Sequence, residues 1–142
     1  MTPKEYLSQG FKLDNRIEAK LNVISELRSS LFGKSNKLQK DRVQCSETYD
    51  FTKISDKIMD FAAEVDAQID ELVDLKRKLY GEISQLEDNL QIIILSERYL
   101  CGKKLEDIAR EQHYSYDYIR HSHGWALESF RKTFPHYFLD TL

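Results

Sequence analysis

Only two prolines and five glycines punctuate the 142 residues of this chain. That scarcity excludes folds that need frequent tight turns, such as β-sandwiches. No apolar run approaches the roughly 18 residues that a membrane span requires, and the opening MTPKEYLSQG lacks the apolar stretch of a secretory signal. The expectation is a soluble, cytoplasmic chain with no membrane partner. The two cysteines, Cys45 and Cys101, lie far apart in no ligand-like spacing, so they read as free thiols. Also missing are a P-loop, a GxSxG elbow, a metal-spaced His/Glu pair and a Gly-rich phosphate loop. The residues therefore point away from an enzyme and call for neither a cofactor nor a metal.

A strong charge of one sign is lacking too. The net charge of −3 argues against a generic polyanion binder. The average conceals a gradient, because residues 1–88 hold 14 Lys+Arg against 17 Asp+Glu, while the remainder hold 7 of each. The C-terminal part is thus neither repelled from phosphate nor strongly basic. One copy should bind DNA weakly, since non-specific affinity grows with the number of phosphates neutralised.

What the chain has in abundance is helical periodicity. Thr2 and Glu5 form a potential capping box, with Pro3 suited to the first turn. From there Tyr6, Gly10, Leu13, Ile17, Lys20, Ile24, Leu27 and Leu31 recur at spacings of four and three, which predicts one helix from Thr2 to about Leu31, stopped by Gly33. Residues 33–49 are polar and aperiodic, a solvated connector carrying Lys34, Lys37, Lys40 and Arg42. A stronger stripe follows: Phe51, Ile54, Ile58, Phe61, Val65, Gln68, Leu72, Leu75, Leu79, Glu82 and Leu86, with Ile83 able to replace Glu82 as a straight helix drifts against the heptad. It predicts a long amphipathic helix of about 36 residues, roughly 54 Å at 1.5 Å per residue.

The two stripes pair most simply as an antiparallel hairpin or coiled coil over residues 1–88. The second is the longer, so Leu72, Leu75 and Leu79 are expected to remain uncovered and to recruit another copy of the chain, giving a homo-oligomer, most simply a dimer.

From Asn89 the pattern becomes denser. In NLQIIILSERYL, Leu90, Ile93, Ile94 and Leu100 are candidates for a compact core, and Gly102 ends the segment. Leu105, Ile108 and Ala109 line a short helix whose small Ala109 admits a close crossing. The turn runs through Glu111, Gln112, His113 and Tyr114; Ser115 is placed to cap the next helix and Asp117 to complement its positive end. Ile119, Ala126 and Leu127 mark that helix's inner face. Two short helices joined by a tight turn, the second exposed at its start, suit entry into a major groove. The predicted fold is all-α, with a helical hairpin over 1–88 and a helix-turn-helix domain over 89–142.

The run RYLCGKKLEDIA, then Ser115 and IRHSHGWAL, resembles region 4 of sigma-70 factors. The segments KEYLSQGFKLDNRIEAKL, DELVDLKRKL and YSYDYIRHSHGWAL extend the likeness to small phage and prophage proteins of Gram-positive bacteria, including late transcriptional regulators of the ArpU and RinA type. The resemblance implies a sequence-specific transcriptional regulator that binds double-stranded DNA and touches bacterial RNA polymerase. It places the groove readers at Tyr116, Asp117, Arg120 and His121, and leaves His113 at the turn position usually held by glycine. The chemistry agrees: Arg120 is able to donate twice to guanine, Asp117 to accept from cytosine, and His121 to donate to an acceptor. Lys103, Lys104 and, secondarily, Arg110 are placed for backbone phosphates.

Plainer readings stand beside these. Arg120 and Asp117, three apart, are also able to pair with each other, and Lys103 and Lys104 to form a plain solvated turn. Cys101, His113, His121 and His123 match no familiar zinc spacing. Trp125 and Phe130 read as packing residues rather than base-stacking platforms. The apolar ending FPHYFLDTL reads as packing back on the head, with docking onto polymerase or another subunit as the alternative. Two other functions fit the same pattern: a DNA-packaging protein of the small-terminase kind, and an RNA polymerase-binding module without DNA specificity.

Overall fold

The computed structural model describes residues 1–30 and 45–139, with residues 45–51 described by their backbone alone. The chain is all-helical, and no strand occurs among the described residues. Helix α1 (Pro3–Leu7) starts as its sequence predicts: the Thr2 hydroxyl accepts from the Glu5 N–H at 3.2 Å, and the Glu5 carboxylate accepts from the Thr2 N–H at 3.3 Å. The expected single helix to about Leu31 is instead broken at Ser8, and α2 runs Gln9–Arg28. The Ser8 hydroxyl donates to the Lys4 carbonyl at 2.6 Å and the Gln9 amide to the Tyr6 carbonyl at 2.7 Å, so side chains engage the turn's carbonyls. The break also lets the adjacent Tyr6 and Leu7 both point inward.

Helix α3 (Cys45–Ile83) begins inside the stretch expected to be loop, so Cys45 to Tyr49 are helical. Leu31, the Gly33 stop and the connector cations Lys34, Lys37, Lys40 and Arg42 lie outside the described residues, as does the side chain of Phe51.

The chain divides into two compact units. One is Asp14–Glu71, in which Ile17, Ile24, Ile58 and Val65 are buried. Lys20, a poor seam residue by sequence, is accommodated: its ammonium sits 5.9 Å from the Phe61 ring centre and 3.9 Å from the Glu64 carboxylate.

The other unit joins Met1–Leu13 to Leu72–Leu142, drawing residues from both sides of position 88. Its core comprises Tyr6, Leu7, Leu79, Ile83, Leu86, Leu95, Tyr99, Ala126, Phe130, Phe134 and Phe138. Here an expectation fails. Leu79 is 0 % exposed, Leu72 is buried and Leu75 packs half-buried against the same core, so these leucines offer no strip to a second chain. Residues of the C-terminal helices and tail, which a comparison of two helix lengths leaves out, surround Leu79.

Helix α4 (Asn89–Leu95) is capped by the Asp88 carboxylate, which accepts from the Leu90 and Gln91 N–H groups at 2.9 and 3.4 Å. It continues as a turn of π-helix, Ser96–Leu100. The wider turn shifts the inward face, so Leu95 and Tyr99 are deeply buried, while Leu90, Ile93 and Leu100 are only half-buried. Gly102, at φ +73°, then reverses the chain. Helices α5 (Leu105–Gln112) and α6 (Tyr116–Thr133) follow, then a short 3₁₀ turn, Pro135–Tyr137. Ile94, Ile108, Ala109 and Ile119 form a second cluster that locks α4, α5 and α6 together. Residues 134–138 of the tail pack back on the head as the composition predicts, with Phe134 and Phe138 buried and the Tyr137 ring stacked 5.1 Å from that of Tyr6, while residues 140–142 lie outside the described residues.

Candidate nucleic-acid interface

The turn between α5 and α6 is built locally. His113 adopts the left-handed conformation, φ 62° and ψ 40°, and the Tyr114 N–H bonds back to the Ala109 carbonyl at 3.0 Å. Ser115 caps α6, its hydroxyl accepting from the Tyr118 N–H at 3.2 Å, and Asp117 occupies the first turn. Because Ile119, Ala126 and Phe130 are fully buried, the rotation of α6 about its axis is set. Tyr116, Asp117, Arg120 and His121 all emerge on its exposed side.

Arg120 and Asp117 do form an ion pair, 3.5 Å apart. Both side chains are mostly exposed, so the pair is weak and screened and does not prevent either from meeting a ligand. Lys103 and Lys104 part company. The Lys103 ammonium is 2.8 Å from Glu111 and 3.6 Å from Glu97, and the hydrogen bond to Glu111 raises its pKa. It staples the end of α5 to the π turn. Lys104 is exposed at the N-cap of α5. Arg110 pairs with Asp107 at 2.8 Å.

Trp125 corrects the sequence reading. It is 59 % exposed, not packed, and its ring lies 6.4 Å from Tyr118 and 6.3 Å from His121. Seven residues after Tyr118 and four after His121, it shares their face of α6, away from the buried Ala126 and Phe130. Phe130 is core, as expected.

Beside the exposed face lies a cleft of about 360 Å³ lined by Lys4, Arg98, Lys104, Tyr116, Arg120 and His123, with Glu106 also on its wall. Lys4 and Arg98 were not among the residues predicted from sequence. No local signal marks Lys4, which belongs to the opposite end of the chain. Arg98 stands in the RY dipeptide, so its position was visible but its orientation was not. Its guanidinium donates to the Lys103 carbonyl at 3.1 Å and lies 5.8 Å from the Phe11 ring centre.

At the back of this region the His123 Nε2 and the Tyr99 hydroxyl are 2.8 Å apart, their rings stacked at 5.7 Å. Burial, then the charges of Arg98 and Lys4, push the His123 pKa below the ordinary histidine value. Burial pushes the Tyr99 hydroxyl up to about 12. Among the described residues no three His, Cys, Asp or Glu side chains converge to hold a metal ion, and Cys101 is a free, exposed thiol. Nor is any described helix long and apolar enough to cross a membrane.

Compared with protein-family models, curated proteins and solved structures, the chain matches none.

Proposed function

We propose that α5, its turn and α6 form a helix-turn-helix that reads duplex DNA in the manner of sigma-70 region 4, and that the protein is a sequence-specific transcriptional regulator, a late-gene activator of a phage or prophage acting in the cytoplasm of its bacterial host. One observation carries this reading: the first two turns of α6 present Tyr116, Asp117, Arg120 and His121 to solvent on a helix whose other face is locked into the core. Base edges are read by polar side chains on a rigid helix, and Arg120 is the side chain able to make a bidentate contact.

A head with as many acidic as basic residues gains affinity by acting in copies. The proposed scaffold is the pair α2 and α3, folded as an antiparallel hairpin and associated with other copies. With Leu72 and Leu79 buried, the support moves to Met59 and Ile69 of α3, both still exposed. A dimer or tetramer fits regulation, whereas a ring of about eight or more subunits fits packaging.

The exposed cluster of Trp125, Tyr118 and His121 favours a second reading, a docking module for RNA polymerase, because exposed aromatics anchor protein interfaces. Selection of bound duplexes from randomised DNA at low salt separates the two. The regulator reading expects a defined motif and a loss of about 1–3 kcal/mol for Arg120→Ala, with relaxed preference at one base pair. Recovery of no duplex by the wild-type chain leaves the docking reading. An identical motif for both proteins refutes the assigned orientation of α6.

A further inference from the structure

Lys4, Arg98, Lys104 and Arg120 converge on one cleft, in a chain whose net charge is −3 and in a unit that places Lys4 beside residues about a hundred positions away. Bringing four cations together is unfavourable unless an anion shares the space. Glu106 on the cleft wall offsets one of them and Asp117, 3.5 Å from Arg120, offsets another, which leaves the excess on Lys4, Arg98 and Lys104. His123 lines the same cleft, and its protonation is opposed first by burial and then by Arg98 and Lys4. Arg98 is held in place, one guanidinium N–H bonded to the Lys103 carbonyl at 3.1 Å and the group resting over Phe11. Guanidinium has five donors in a fixed fork, so that bond leaves others for a ligand.

We infer that this cleft seats a phosphodiester of the DNA backbone, with Lys4 and Arg98 as phosphate contacts supplied from outside the two helices that read the groove. The inference rests on the DNA-binding reading, which supplies the ligand. Tyr116 and Arg120 line the same cleft, so one strand's phosphate sits beside the base-reading residues and sets their register. The N-terminal turn is then part of the DNA-binding unit, although its sequence belongs to the helical scaffold.

The test uses the full chain and a duplex recovered by selection, titrated by fluorescence anisotropy over a salt series. Lys4 is exposed on α1, so Lys4→Ala leaves the core untouched. Arg98→Gln is the second variant, with thermal melting as its folding control. Each is expected to weaken every duplex alike, by about five- to tenfold near 0.1 M salt, and to reduce the slope of log K against log salt by about 0.9, the value for one phosphate. The preferred sequence stays the same. Wild-type affinity and slope in Lys4→Ala, with wild-type chain binding DNA normally, overturn the cleft assignment and leave the reading of α6 intact. Failure of the wild-type chain to bind any duplex overturns both. Pyrophosphate is the third arm. If it raises the melting temperature of wild type but not of Lys4→Ala, while duplex affinity is indifferent to Lys4, the cleft is a small-anion site and the backbone assignment falls.

Discussion

Tyr6 donates its phenolic hydrogen to Glu82 across 76 residues of sequence, lying 2.7 Å from one carboxylate oxygen and 3.0 Å from the other. Glu82 is only 7 % exposed, and it occupies a position that the heptad pattern assigns to the apolar seam. The Tyr137 hydroxyl is close enough to the same carboxylate for Glu82, ahead of burial, to raise its pKa. One buried acid thus holds α1, α3 and the C-terminal tail together. Burial and Glu82 hold the Tyr6 hydroxyl far above the usual tyrosine pKa.

Tyr6→Phe should therefore destabilise the protein by about 1–3 kcal/mol, because a buried carboxylate loses a donor while its desolvation cost remains. Adding Glu82→Leu to Tyr6→Phe should restore part of that loss, since an apolar pair leaves no unsatisfied charge. Urea denaturation followed by far-UV circular dichroism measures both. An unchanged midpoint for Tyr6→Phe would show that the bond contributes nothing.

Leu79 sits at zero exposure among Leu95, Tyr99 and Phe130. Leu79→Ala should lower stability by about 2–5 kcal/mol, the range for a truncated core leucine. Leu79→Asp should abolish cooperative melting, because an unpaired carboxylate cannot be desolvated there. Melting combined with light scattering distinguishes this from an interface role. A Leu79→Asp chain that melts normally but has lost subunits would place the leucine between chains.

The third prediction concerns pH. His123 faces Tyr99, Arg98 and Lys4, and its folded-state pKa is depressed. The unfolded chain, with a histidine pKa of about 6.5, takes up the proton first. Stability from this site is thus complete above about pH 6.5 and is lost as pH falls through the lower folded-state value. His123→Gln retains a side chain able to meet the Tyr99 hydroxyl but does not titrate. The fall in melting temperature between pH 7.5 and pH 5.5 should be smaller in this variant than in wild type. Equal falls would assign the acid sensitivity to other groups.

Much of the local structure was legible because it depends on residues three or four apart. The Thr2–Glu5 capping box, the Ser115 cap and the turn at His113 each form within one helical turn, so side-chain chemistry decides them. The burial of Ile17, Ile24, Ile58 and Val65 follows from periodicity, which settles which residues share a face. The same holds for Tyr116, Asp117, Arg120 and His121, whose joint exposure follows once Ile119 and Ala126 point inward.

Periodicity does not say what covers a face. Leu79 looked like an uncovered seam residue because α2 is the shorter helix, yet it lies in a core made with Leu95, Phe130 and the tail's Phe138. Trp125 reads from sequence as a packing residue, yet Ala126 and Phe130 take the inward face and leave the indole in solvent. The Ser8 break, the π turn that carries Tyr99 inward, and the meeting of Lys4 with Arg98 and Arg120 have the same origin. By itself the sequence determined the helices, their caps and the residues that point together, because those depend on short-range backbone geometry and side-chain type. Only the tertiary structure decided which faces meet and which cations share a cleft, because those contacts join segments from opposite ends of the chain and form only when the core closes.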